Sequence, residues 1–220
     1  MFSTNMNRKL LFLLLSLSLF VFACNSANTN TNSTQAKKTN SNSFPYTENA
    51  KPVADGEAAV IETDYGTFKM ELYSNVAPKM VARFKDLAKK GVYNGTTFHR
   101  VNQQYGIIQG GDPLSKDNDP RNDGTGNSGM PNVPSEFSDI PFDKGIVGAA
   151  RTNESPDTAN CQFFIMTKRF AGFDKLYTVF GKVYEDPSGA VSLIAGAETA
   201  PGTERPSENI KIKDITFQPR

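Results

Sequence analysis

Tryptophan is absent from this chain, histidine occurs once and cysteine twice. A lone His99 rules out sites built from several imidazoles, and two cysteines are too few for a Cys-rich zinc site, so neither a metal nor a cofactor is implied. Neither charge is in surplus: 24 Lys and Arg stand against 23 Asp and Glu, a formal net charge of +1. Nucleic acid and polyanionic surfaces therefore have no electrostatic claim as partners. Phenylalanine, by contrast, is plentiful, with 16 residues beside seven tyrosines, and this predicts an aromatic core. Of the 220 residues, 38% are hydrophobic, which leaves, after the N-terminal region, one domain of about 150–170 residues.

The longest apolar run, residues 10–22, follows Arg8 and Lys9 and has thirteen residues. That is short for a bilayer span but suits the core of a secretory signal. The run ends Val21-Phe22-Ala23-Cys24, which resembles the bacterial lipobox, where a signal is cut before a cysteine that receives the lipid. Phe22 departs from that pattern, which has a smaller residue there. The expectation is a signal peptide over residues 1–23, lipid on Cys24, and export to a bacterial cell membrane, on its periplasmic side or in an outer membrane. A plain cleaved signal and an uncleaved anchor are the alternatives. Residues 25–43 offer almost nothing to bury, so residues 24–52 read as a disordered tether or, more plainly, an unselected polar tail. With Cys24 acylated, Cys161 has no intrachain partner and is expected as a free, buried thiol.

The folded domain is expected over residues 53–220. Residues 58–73 alternate apolar and polar on either side of Asp64-Tyr65-Gly66, which predicts a hairpin with Val60, Phe68, Met70 and Leu72 in the core. Next comes a proline-started amphipathic helix, with Val81, Phe84, Leu87 and Ala88 at three- and four-residue spacing and Gly91 beyond its end. Residues 117–143 have no usable period and predict a long loop hugging the surface. Residues 145–150, 162–167 and 178–183 suit short buried strands, residues 187–195 a short second helix, and the alternating C-terminus a half-buried strand. Many short strands with two helices suggest a barrel, in which exposed edges vanish by closure.

The chain is organised around residues 98–113. If FHRV and GIIQGGD pair as an antiparallel hairpin about Gln104 and Tyr105, Arg100 lies opposite Gln109, and opposed residues share a face. Ile107 joins them, while Gly110 and Gly111 permit close approach of backbone or ligand. Taken alone, an arginine on a strand is usually a solvated surface residue. His99 falls on the opposite face and is expected as a hydrogen-bonded, semi-buried structural imidazole. The Gly110-Gly111-Asp112 run lacks the spacing, lysine and following helix of a phosphate loop.

Four motifs in order, FHRV, IIQGGDP, QFFI and FDKLYTVFG, resemble those of the cyclophilin family of peptidyl-prolyl isomerases, and the match runs over residues 58–217. The resemblance implies a mainly β fold: a closed eight-stranded antiparallel barrel capped by two helices, with a peptide groove on its outer wall. By this matching the catalytic arginine is Arg100 and Gln109 orients the substrate. Phe164 lies in the proline pocket and Gln162 further along the groove. Ile107, Phe173 and Tyr177 occupy other pocket positions, and Thr152 and Asn153 are candidates for binding the substrate backbone. Between Arg100 and Gln109 the chain is one residue longer than the family pattern. The pocket phenylalanine falls on Gly106, so Tyr105 is the candidate to supply a ring. Gly172 stands where some members have a tryptophan associated with cyclosporin binding.

The implied activity is isomerisation of Xaa-Pro bonds in proline-containing segments of unfolded or exported proteins, by a monomer. Rotation about such a bond breaks amide resonance and needs neither nucleophile nor cofactor, which suits a chain with no catalytic dyad. In the twisted transition state the prolyl nitrogen gains a lone pair that a guanidinium can meet, while the planar ground state offers it little. The alternative is a non-catalytic peptide-binding or chaperone module on the same barrel, suggested by the Tyr105-Gly106 change. A plain structural barrel would neither bind nor catalyse.

Overall fold

The computed structural model describes residues 46–220. The expected signal, Cys24 and the polar stretch as far as residue 45 lie outside the described residues. Residues 46–52, counted above with the tether, are tied to the domain. β1 (Tyr46–Thr47) pairs in parallel with Phe137 and Ser138, and the Asn49 and Ala50 N–H groups donate to the Asp139 carboxylate at 2.7 and 2.9 Å. Further on, Val53 N–H donates to Asn75 Oδ1, and the Asp55 carboxylate binds Ser74 and Lys85.

The hairpin around Asp64-Tyr65-Gly66 forms as expected from β2 (Glu57–Thr63) and β3 (Gly66–Leu72). Ala59 pairs with Met70 and Ile61 with Phe68, so these four share the inward face and are fully buried. Val60 therefore points the other way, beside Lys69, and is only half-buried, contrary to its predicted place in the core. α1 (Pro78–Lys89) buries Met80, Val81, Phe84, Leu87 and Ala88. Ala77 offers no side-chain cap; Glu136 accepts from the Lys79 and Met80 N–H groups at 3.0 Å each, setting a carboxylate where the helix dipole favours it.

The remaining strands and α-helix are β4 (Arg100–Asn102), β5 (Ile107–Gly110), β6 (Phe137–Ser138), β7 (Ile146–Ala149), β8 (Phe163–Met166), β9 (Val179–Glu185), α2 (Ala190–Ala195) and β10 (Ile212–Pro219). Eight strands form one antiparallel sheet in the order β10-β2-β3-β9-β7-β8-β5-β4. Its two edges meet without a continuous ladder. A bridge between Thr97 and Lys211 joins them, flanked by Phe98 N–H to Ile210 O (2.9 Å) and Ile212 N–H to Thr96 O (2.7 Å). The stretch expected to lack secondary structure, residues 117–143, includes β6, which is only two residues long and holds β1.

Period two along β8 divides the apolar side chains between two layers. Phe163 and Ile165 enter the main core, where the Phe163 ring lies edge-on to Phe84, Tyr93 and Phe98 at 5.7, 5.8 and 6.2 Å. Phe164 and Met166 face outward into a second cluster with Ile107, Phe142 and Val179. This outer layer is the floor of the site.

Candidate active site

Register alone assembles the site. Arg100 on β4 lies opposite Gln109 on β5, Gln109 opposite Phe164 on β8, and Phe164 opposite Gly148 on β7. One row thus crosses four strands with its side chains on a single face. The row beside it, Asn102, Ile107 and Met166, belongs to the same face.

A cavity of about 570 Å³ opens over this row. Arg100, Gln109, Ile107, Phe164, Phe173 and Tyr177 all line it, as do Tyr105 and Thr152. Gln162 lines an adjoining cavity of about 490 Å³, shared with Gln109 and Thr152. Phe170 and Arg151 also reach the first cavity, and the sequence reading did not single them out. Phe170 packs edge-on to Phe173 at 4.8 Å, and the Arg151 guanidinium lies 4.6 Å from the centre of the Tyr177 ring while donating to Leu176 O.

The turn between β4 and β5 explains Gly106. Asn102 accepts from both Tyr105 N–H, through Oδ1, and Gly106 N–H, through its carbonyl, which coils the chain tightly. Gly106 then has φ +69°, and a Cβ there would run into the Lys168 side chain, with Cε 2.9 Å away and Cγ nearer. Glycine is the residue this position accepts. The ring of the preceding residue, Tyr105, packs against Phe170 at 5.2 Å and Phe173 at 5.7 Å.

The polar groups form a chain. Arg100 Nη1 donates to Gln109 Oε1 (3.1 Å), Gln109 Nε2 to Gln162 Oε1 (3.0 Å), and Gln162 Nε2 to the carbonyls of Gly124 and Gly126 (3.0 Å each). At the other end, Arg100 Nε donates to Glu204, whose second carboxylate oxygen accepts from Asn102 Nδ2. Glu204 has no periodic signal in the sequence that would have found it.

His99 and Cys161 are buried behind this face. Burial lowers the His99 pKa, although Asp112, Asp123 and a hydrogen bond with the Thr97 backbone pull it the other way. The imidazole packs under Gly124 and is more deeply buried than the semi-buried ring expected. Cys161 is free and buried, as expected, and burial pushes its thiol up to about 12.

Residues 58–217 match the family model described as cyclophilin type peptidyl-prolyl cis-trans isomerase/CLD. A probable peptidyl-prolyl cis-trans isomerase of Brucella suis biovar 1 (strain 1330) is 38% identical over 162 residues, covering 71% of this chain and 82% of its own. The peptidyl-prolyl cis-trans isomerase-like 1 of Mus musculus is 36% identical over 156 residues, with 69% and 87% covered. Among solved structures, a Cryptosporidium parvum cyclophilin type peptidyl-prolyl cis-trans isomerase, crystallised in the presence of the dipeptide Ala-Pro, superposes with a TM-score of 0.66. It is 28% identical and covers 74% of this chain and 99% of its own.

Proposed function

The chain belongs to the cyclophilin-type peptidyl-prolyl cis-trans isomerases and isomerises Xaa-Pro bonds, and from that premise we propose that Arg100 and Gln109 carry the catalysis. The observation behind this assignment is the hydrogen-bonded Arg100–Gln109 pair, in register above an aromatic pocket floored by Phe164.

Rotation about the Xaa-Pro bond must cross a barrier of about 18–20 kcal/mol. As the amide twists, the prolyl nitrogen pyramidalises and its lone pair becomes an acceptor for Arg100. The contact strengthens only in the transition state, which is the condition for lowering a barrier. Gln109 holds the guanidinium through Nη1. Phe164, Ile107, Tyr105, Phe173 and Tyr177 enclose the pyrrolidine ring, while Thr152 and Gln162 receive the peptide to one side. A protease-coupled assay on a proline peptide tests the assignment: Arg100→Ala lowers kcat/KM by about a hundredfold. A wild-type rate for that variant would place catalysis elsewhere. The rival reading, a groove that binds without catalysing, rests on the missing ring at Gly106, and the Tyr105 ring on the cavity wall favours the catalytic reading over it.

The clients in this proposal are proline-containing segments of unfolded or exported proteins, and the enzyme is a monomer held to a bacterial membrane, on its periplasmic side or in an outer membrane, by lipid on Cys24. The reading is supported by the basic residues before an apolar run, the Val21-Phe22-Ala23-Cys24 ending and the polar stretch after it. Bridged sheet edges leave little strand for a second copy to pair with. Cys24→Ser should move the protein from the membrane to the soluble fraction, and an unchanged distribution would exclude the anchor.

A further inference from the structure

Arg100 is a long side chain about one-third exposed, on a three-residue strand at the sheet edge, and Gln109 alone would fix only one of its nitrogens. The second fixed point comes from a loop 104 residues away, where Glu204 accepts from Nε. Of the five N–H donors of a guanidinium, two are thereby committed and three remain for a substrate.

Glu204, although exposed, is itself held by several contacts. Its carbonyl accepts from Val101 N–H at 2.6 Å, and its carboxylate also binds Asn102, the residue whose Oδ1 and carbonyl shape the turn that aims Tyr105. The bridge between Thr199 and Pro206 pins the loop, and the next residue, Arg205, pairs with Asp123 at 3.2 Å. Asp123 precedes Gly124, whose carbonyl anchors Gln162. The contacts therefore close into a ring that runs Glu204, Arg100, Gln109, Gln162, the 123–124 backbone, Arg205 and back to Glu204.

We propose that Glu204 is a positioning residue for the isomerase reaction: it holds the Arg100 guanidinium in its catalytic orientation and ties it to the turn carrying Tyr105. This inference rests on the assignment of catalysis to Arg100. Glu204 neutralises part of the guanidinium charge, which weakens it as a donor, but a donor free to swing across the groove loses more through misalignment than it gains in strength. Glu204 does not line the cavity, and the turn keeps its own bonds from Tyr105 and Gly106 to Asn102, so loss of Glu204 should act on kcat more than on proline binding.

The test is a kinetic cycle on the purified full chain with Glu204→Ala, Glu204→Gln, Arg100→Ala and the Arg100→Ala/Glu204→Ala double variant, with kcat and KM resolved by exchange NMR at saturating peptide. Glu204→Ala should lower kcat about tenfold with KM changed less than twofold, and Glu204→Gln, which keeps an acceptor oxygen, should recover part of the loss. In the Arg100→Ala background, removing Glu204 should cost nothing more. If Arg100→Ala is crippled while Glu204→Ala turns over normally, Glu204 is idle and only this inference falls. Equal losses in both backgrounds would mean that Glu204 acts through the fold. A fully active Arg100→Ala would overturn the catalytic assignment itself, and this inference with it.

Discussion

Gly148 lies directly opposite Phe164 across the β7–β8 ladder, and the ring of Phe164 occupies the space a side chain at 148 would need. A Cβ on Gly148 would meet Phe164 Cε1 at 2.8 Å, with Cζ closer still, and Phe142 Cε1 at 2.9 Å. Phe164 and Phe142 stack at 5.7 Å, so neither ring can retreat without moving the other. Gly148→Ala should therefore push Phe164 into the cavity, raising KM for a proline peptide several-fold and costing about 1–3 kcal/mol of stability. Peptide titration and urea unfolding measure both effects, and an unchanged KM would show that the ring has another place to go.

Gly106→Ala should be costly for two separable reasons. One is the left-handed backbone, φ +69°, which costs a residue with a Cβ about 1–2 kcal/mol. The other is the clash with the Lys168 side chain. Repeating the substitution in a Lys168→Ala background removes only the clash, so the stability loss should shrink but persist. Complete rescue by Lys168→Ala would mean that the backbone tolerates alanine here.

How much of this could be read beforehand depended on how locally each feature is encoded. The Arg100–Gln109 pairing follows from period two around a short turn, and both residues lie within a single hairpin. The same periodicity separates Phe163 from Phe164. Val60 was misplaced because valine outweighs alanine as an apolar signal, whereas the register puts small Ala59 inward opposite Met70. The β1–β6 pair is two residues long, too short for any pattern to speak. Glu204 sits in an aperiodic loop and meets Arg100 only because the chain returns to the sheet edge after α2. Phe170 looks like one more aromatic until the fold sets it against Tyr105.

Cys161 should be inert to alkylation in the native protein. Its thiol is fully buried and pushed up to about 12, with Asp112 adding to the effect of burial, so almost no thiolate exists at pH 8. Iodoacetamide followed by mass spectrometry should leave Cys161 unmodified until denaturant is added. Labelling at the rate of a free thiol would show that the core opens around it.

His99 should make stability depend on pH over a narrow window. His99 is 7% exposed, and burial holds its pKa below the ordinary value of 6.5; Arg100 acts in the same direction, and Asp112, Asp123 and the Thr97 backbone hydrogen bond oppose it only in part. In the unfolded chain the same imidazole titrates near about 6.5. Between that value and the lower folded one, the unfolded state carries more protons, so stability rises with pH there. The contribution is fully present above about 6.5 and is lost as pH falls towards the folded value, at no more than about 1.4 kcal/mol per pH unit. His99→Phe removes the titrating ring, at the cost of its Thr97 contact, and should flatten this slope. Urea midpoints at pH 7.5, 6 and 5 decide it: the wild type should lose stability on acidification while His99→Phe loses less. Equal losses in the two proteins would assign the pH dependence to the carboxylates instead.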